Sequence, residues 1–411
     1  MKFLTILGAT GSIGVHTLDV IGEHTDRFRV VALTAHHNIE LLFKQCIQHS
    51  PAYAVVSTKR LAENLQQRLR EESLQTEVLF GVEALAKVAS LAEVDMVMAA
   101  IVGAAGLLPT LAAIKAKKQV LLANKEALVM AGPLLIEEAK RSEVTLLPVD
   151  SEHNAIFQCL HGCFETGVAS KEVTKIILTA SGGAVRHKPL AQLQKTTPLE
   201  ACRHPNWSMG QKISIDSATL MNKGFEVIEA HFLFGLPLEQ IEVVLHPQSI
   251  IHSFVEYRDG SLLAQLSNPD MRIPISYALA WPERLTNSAS RLDLIKLARL
   301  DFEAIDEKRY PCLDLAYEAL KIGGTATTIL NAANEIAVQA FLEGKINFTA
   351  IALLNKQVLE KIHSRPVTSV EVILEDDHLA RAVALELIDH EGKVMASLVD
   401  ADMMDAHAAI F

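Results

Sequence analysis

Over the first third of the chain, hydrophobic and polar positions switch between two rhythms. Residues 2–7, 29–34, 53–56, 94–101 and 120–123 are short apolar runs, and stretches such as Val15, Leu18, Ile21 keep helical spacing between them. Unbroken apolar runs predict strands buried on both faces, and their alternation with helices predicts an open parallel sheet. A further run at 145–149 and a β-rich run at 175–180 follow. The pattern then turns antiparallel through 241–245, 249–257 and 261–266, with Asp259-Gly260 as a hairpin turn. Residues 286–306 are aperiodic and read as a linker. Beyond them, helical spacing broken at Gly323-Gly324 predicts a small bundle.

The expected fold is α/β with three parts. Residues 1–149 form an N-terminal Rossmann-like parallel sheet, and residues 150–285 a central α+β catalytic domain. After the 286–306 linker comes a C-terminal helical bundle over 307–393, with a tail of unassigned role at 394–411.

Candidate chemistry begins at Val149-Asp150-Ser151-Glu152-His153-Asn154. In an extended strand end, carboxylates at i and i+2 point the same way and repel unless a cation or shared proton is present. That spacing makes Asp150 and Glu152 candidate ligands for a hard cation. The ordinary alternative is a helix cap, with Asp150 or Ser151 before a helix starting near Asn154. The six residues alone favour the cap.

The first strand runs into Gly8-Ala9-Thr10-Gly11-Ser12-Ile13-Gly14 and then a helix, the setting in which backbone N–H groups receive a pyrophosphate. Thr10, Gly11, Ser12 and Ile13 are the expected contacts. After the second strand the chain reads Ala35-His36-His37-Asn38, without the acid that would bind a ribose 2′-hydroxyl. His36, His37 and Asn38 suit a 2′-phosphate, so NADPH is expected over NADH. Asn124 and Lys125 end the 120–123 strand, where ligands of parallel sheets gather. Glu126 either joins the cofactor contacts or complements the helix dipole.

Further along, Ser181-Gly182-Gly183 offers a small-residue anion loop. The polar, aperiodic run from Arg203 to Lys212 includes His204 and Trp207, the latter one of two tryptophans. A loop with an aromatic tip suggests a lid, or else a tryptophan that anchors the loop. On a helix that also carries Glu229, Asn222 and Glu226 share a face with Lys223 adjacent, which sets phosphate-seeking donors next to a candidate third metal carboxylate; a solvated face of mixed charge is the ordinary explanation and the one the pattern alone favours. Asn331, Asn334 and Glu335 line one face of an apolar helix, and this stripe is expected to knit the helical domain to the catalytic one.

Composition narrows the field. A formal net charge of -11 excludes a general nucleic-acid or anionic-membrane surface, so an anionic substrate needs a local basic cluster. The uncharged stretch 96–114 is interrupted by Gly103, Gly106 and Pro109, so no membrane span is expected. The five cysteines are odd in number and form no C-x-x-C pair, so reduced thiols are expected. With no room for a leader before the first strand, a cytoplasmic location is expected.

Taken together, residues 8–14, 99–113, 121–126, 147–157, 201–210, 213–224, 246–253 and 331–335 resemble the 1-deoxy-D-xylulose 5-phosphate reductoisomerase family along nearly the whole chain. The resemblance implies a metal-dependent isomeroreductase that makes 2-C-methyl-D-erythritol 4-phosphate for non-mevalonate isoprenoid synthesis. It implies NADPH, Mg2+ or Mn2+, and a homodimer. It places the metal on Asp150, Glu152 and Glu226, and phosphate on Ser181, Ser217, Asn222 and Lys223 with His204 beside it. Trp207 and Met209 would belong to the lid. Lys125 and Ser151 would contact substrate oxygens, and His153 and His252 would line or brace the site. The expected catalytic set is Lys125, Asp150, Glu152, His153 and Glu226.

Three features depart from the family pattern: His36-His37 where glycine and a basic residue are usual, Ala184-Val185 after the glycine loop, and a chain end from Gly392 to Phe411 beyond the usual terminus. Two other readings compete. One is an NADP-dependent dehydrogenase of semialdehyde or homoserine type, and the other is a nucleotide-sensing scaffold without turnover.

Overall fold

The computed structural model describes residues 1–160, 164–207 and 209–408, with side chains through residue 389. The chain divides into two compact units. Unit 1 is Met1–Ser181 with Phe225–Ala304, and unit 2 is Gly182–Gly224 with Ile305–Phe411.

Unit 1 begins with β1 (Lys2–Leu7), α1 (Ser12–Glu23), β2 (Phe28–Thr34), α2 (Ile39–His49), β3 (Tyr53–Val56) and α3 (Lys59–Glu71). It continues through β4 (Glu77–Phe80), α4 (Val82–Ala89), β5 (Met96–Ala99), α5 (Leu107–Lys115), β6 (Gln119–Leu122), α6 (Lys125–Ser142) and β7 (Leu146–Pro148). These strands form one sheet in the order β4-β3-β2-β1-β5-β6-β7, and each neighbouring pair is parallel. The apolar runs are buried as their continuity required: Leu4, Ile6, Leu33, Val55, Val97, Met98 and Leu121 are closed to solvent. Strand order reverses between β1 and β5, and ligands of such sheets bind beyond the strand ends at that point.

α7 (Ser151–Cys159) follows β7 and leads to β8 (Val173–Ala180). Next come α8 (Gln211–Thr219) and α9 (Met221–Phe234), separated by Leu220 at φ 57. Unit 1 then adds β9 (Ile241–Leu245), β10 (Ile251–Tyr257), β11 (Leu262–Leu266) and α10 (Arg272–Ala280). The second sheet runs β11-β10-β8-β9. Its β10–β11 hairpin is antiparallel as expected, but β9 pairs in parallel with β8 instead of antiparallel with β10. The apolar strand β8 takes the interior position between them, a partner that local turn signals do not encode.

Unit 2 gathers α8 with α11 (Pro311–Ile322), α12 (Ala326–Leu342), α13 (Ala350–Lys361) and α14 (Val370–Ala408). The expected linker at 286–306 includes a short helix, Leu294–Leu297, and a bridge from Glu303 to Leu245. Side chains of the 394–411 tail lie outside the described residues. Among the described residues, no helix is long and apolar enough to cross a membrane.

Candidate active site

Three elements of unit 1 bring the predicted acids together. α7 starts at Ser151, not near Asn154, so Glu152 lies in a first helical turn and the stretch is not extended through it. Asp150 occupies the N-cap position, yet its side chain makes no capping bond. Its Oδ2 instead lies 2.7 Å from Nζ of Lys125, the first residue of α6. The same Nζ donates to Oε1 of Glu226 on α9 at 3.3 Å. Close packing sets this approach of α6 and α9, because a Cβ on Gly132 would sit 2.2 Å from the Phe232 ring. Ligand oxygens of Asp150, Glu152 and Glu226 all fall within 4.8 Å of one another. The Ser151 hydroxyl donates to Glu152.

A second layer lies beneath. His153 is fully buried, and its Nε2 donates to the Glu226 carbonyl at 2.9 Å, so the proton is on Nε2. Its Nδ1 faces Glu229 at 3.5 Å and Asp150 at 4.0 Å. Burial pushes the Glu229 carboxyl up to about 7; Asp150 and Glu226 add to the rise, while His153 and Lys125 oppose it. Burial alone would depress the Lys125 ammonium, but Asp150, Glu226 and Glu229 outweigh it and hold the pKa well above the usual lysine value. Neither Glu229 oxygen finds a hydrogen-bond donor among the described residues. Four acids against one ammonium and one imidazole leave excess negative charge, and an all-oxygen donor set of this spacing fits a hard divalent cation.

The nucleotide end is built at the β1–β5 reversal. Gly8 sits at φ 83, and a Cβ there would lie 2.5 Å from the Ala100 carbonyl oxygen, so only glycine lets the two strand ends pass. Thr10 and Gly11 precede α1, while Ser12 and Ile13 open it, and no side chain caps its first N–H groups. His36 and His37 are exposed with ring centroids 3.7 Å apart, and Ser57 donates to the His36 carbonyl. Asn38 caps α2 by accepting from Leu41 N–H. Asn124 caps α6 and donates to the Gly103 carbonyl at 3.2 Å, which ties the loop after β5 to the end of β6. Glu126 is buried in the first turn of α6.

The remaining expected residues divide between the units. Ser181 closes the first segment of unit 1, whereas His204, Trp207, Ser217, Asn222 and Lys223 belong to unit 2. His204 Nδ1 accepts from the backbone N–H groups of Asn206 and Trp207 at 3.2 and 2.9 Å, which folds that loop around the imidazole. Ser217 and Lys223 are buried. His252 bonds Ser267, and His246 is held between the Asp301 carbonyl and the Ile250 N–H. His252 on β10 and His246, one residue beyond β9, are thus buried and held by hydrogen bonds. As expected, the Asn331–Glu335 stripe ties the helical region to the 150–285 segment, because Asn334 bonds Asp216, while Glu335 pairs with Arg381 inside the helical region; all of these residues fall in unit 2.

Known proteins resemble this chain along nearly its whole length. The model of 1-deoxy-D-xylulose 5-phosphate reductoisomerase matches residues 4–132, that of its C-terminal domain residues 146–234, and the DXP reductoisomerase C-terminal domain residues 266–383. A protein of that name from Dechloromonas aromatica is 59% identical over 388 residues, covering 94% of this chain and 98% of the relative. The chain belongs to the 1-deoxy-D-xylulose 5-phosphate reductoisomerase family. A second member, from Cellvibrio japonicus, is 57% identical over 94% of this chain and 98% of its own length. Among solved structures, a reductoisomerase in complex with NADPH, fosmidomycin and magnesium aligns with TM-score 0.89 and 46% identity, covering 95% of this chain and 98% of that one. The Zymomonas mobilis enzyme in complex with NADPH aligns with TM-score 0.87 and 47% identity, covering 94% and 99%.

Two residues of consequence were given no role from sequence. Glu229 lies three positions after Glu226 on α9, a spacing that predicts a shared face but not burial against His153. Asp216 is buried in α8, in the run just before the helix that carries Asn222, and no local pattern marked it. The semialdehyde-dehydrogenase reading loses its nucleophile among the described cysteines: burial pushes the thiols of Cys46, Cys159 and Cys312 up to about 12, 11 and 12, and also raises that of Cys202.

Proposed function

We infer that this member of the family converts 1-deoxy-D-xylulose 5-phosphate to 2-C-methyl-D-erythritol 4-phosphate with NADPH and Mg2+ or Mn2+, using Asp150, Glu152 and Glu226 as metal ligands. The observation that carries the assignment is the convergence of those three acids within 4.8 Å around Lys125. When bound, the divalent ion supplies Lewis-acid polarisation of the substrate's carbonyl and hydroxyl oxygens, and NADPH supplies hydride.

The chain's own residues prepare that chemistry. Lys125 carries a fixed ammonium among the acids, where an N–H aimed at a substrate oxygen offsets developing negative charge. Ser151 adds a hydroxyl to the same group. His153 holds the Glu226 main chain through Nε2, so the carboxylate emerges from a braced turn. Ser181, Ser217, Asn222 and Lys223, with His204 nearby, are the phosphate donors. Phosphate binding orients the carbon skeleton from a distance. Trp207 on its loop excludes water from a reactive aldehyde.

On the cofactor side, Thr10 to Ile13 receive the pyrophosphate, and His36, His37 and Asn38 lie at the ribose 2′-phosphate. Asn124 and Glu126 stand at the nicotinamide end. The protein is a cytoplasmic homodimer; support comes from β11, an edge strand with exposed Leu262, Leu263 and Leu266.

The test is oxidation of NADPH by purified protein with 1-deoxy-D-xylulose 5-phosphate, with and without Mg2+ or Mn2+. Turnover that requires both substrate and cation is expected. Absence of turnover with either cation overturns the reading.

A further inference from the structure

A buried acid in unit 2 plays no part in the chemistry above. Asp216 is 1% exposed, and its carboxylate is held from two sides. Asn334 Nδ2 on α12 donates to Oδ1 at 2.8 Å, and Lys212 Nζ lies 2.9 Å from Oδ2. The ladder continues, because Asn355 on α13 donates to Asn334 Oδ1 at 3.1 Å. Since a carboxylate only accepts, each amide has one possible orientation and the bonds run in a single direction from α13 to α8. Cys312 of α11 also faces the acid: burial, reinforced by Asp216, pushes its thiol up to about 12.

Two of these residues contradict local preference. Lysine in the first turn of a helix opposes the helix dipole, and Lys212 is the second residue of α8. Aspartate is a poor interior helix residue, and a buried charge with one cation partner adds less stability than apolar packing would. Such conflicts concentrate where geometry matters more than stability. Here Lys212 ends the 203–212 segment containing His204 and Trp207, and Ser217 is the next residue after Asp216. Consecutive side chains on a helix point about 100° apart. Fixing Asp216 against the bundle therefore fixes the direction in which Ser217 leaves α8.

We propose that Asp216 is a positioning residue, whose carboxylate clamps Lys212 and Asn334 and thereby sets the orientation of α8 from which Ser217 meets the substrate's phosphate. The inference rests on the reading of Ser217 as a phosphate ligand. An apolar residue could fill the same space but would not set the rotation of α8 about its axis.

Steady-state kinetics of the full-length enzyme test this with Asp216→Asn, Lys212→Gln, their double variant, and Ser217→Ala as reference. In Asp216→Asn, KM for 1-deoxy-D-xylulose 5-phosphate is expected to rise roughly tenfold or more, as a small misplacement of a binding group does. KM for NADPH stays unchanged. The double variant restores an uncharged hydrogen bond at i,i+4 and recovers much of the loss. A merely structural role would lower kcat and thermal stability by reducing the active fraction at unchanged KM, and that result overturns the proposal. If Asp216→Asn does not fold, Lys212→Gln decides alone: a raised KM supports the clamp, and an unchanged one overturns it. Ser217→Ala with unchanged KM removes the phosphate reading itself, whereas Ser217→Ala raised and Asp216→Asn unchanged removes only the clamp.

Discussion

Lys125 shows how one side chain can be held by opposing demands. Its ammonium is buried among Asp150, Glu226 and Glu229, each of which stabilises the charge that burial disfavours. Replacing it with methionine would leave the acids uncompensated, and breaking a buried pair in this way costs about 3–5 kcal/mol. The Lys125→Met protein should therefore melt well below the parent in EDTA, and saturating Mg2+ should narrow the gap; calorimetry with and without the cation measures both. Glu226→Gln tests the ligand role more directly. It should lower kcat by roughly a hundredfold or more, the scale seen when one preorganised electrostatic group is removed. NADPH affinity, followed by fluorescence titration, should stay within error of the parent. At this scale the sequence was legible in part. It named Asp150, Glu152 and Glu226, but the spacing argument assumed a strand where α7 had already begun. It also left a helix cap as the favoured reading until the absence of a capping bond and the 2.7 Å contact to Lys125 separated the two.

Elements set where these residues point. α6 contains Pro133, with the helix broken at Ala131, and the neighbouring Gly132 lets α9 come close enough for Glu226 to reach Lys125. The β1–α1 turn is as tightly specified. A side chain at Gly8 would be strained at φ 83 and would collide with Ala100. Gly8→Ala should destabilise the protein by more than about 1 kcal/mol and weaken NADPH binding, read from urea unfolding and nucleotide titration. Strand existence was readable from apolar runs, because burial on both faces leaves an unbroken signal. Pairing was not: β9 and β10 follow one another in sequence, yet β8 separates them, since sheet neighbours depend on long-range packing that no local turn records. Likewise Asn331, Asn334 and Glu335 announced a polar face, but only the structure supplied its partners, Asp216 from the 150–285 segment for Asn334 and Arg381 of the helical region for Glu335.

At the level of the whole molecule, the proposed metal binding and subunit pairing would belong to the folded chain. An ion that binds only the native acids stabilises by mass action, about 2.7 kcal/mol at a hundred times its Kd. The melting temperature should therefore climb with Mg2+ concentration, and a Tm independent of the cation would remove the shared site. The exposed leucines of β11 make a second prediction: Leu263→Lys should shift the sedimentation coefficient toward the monomer, and an unchanged coefficient would remove this edge as the interface. From its order of residues alone, the chain determined a parallel nucleotide-binding sheet, a glycine turn at residue 8, a helical C-terminal region and, through its family resemblance, the three acids proposed as metal ligands. These depend on short-range periodicity, on steric limits at single positions, or on motifs that stand in order along the chain. Tertiary structure alone decided that Asp150 joins Lys125 instead of capping a helix, that Glu229 stands buried against His153, and that Asp216 is locked to Asn334. Each of these depends on the burial and partner of a charged group, and both are supplied by segments tens to more than a hundred residues away.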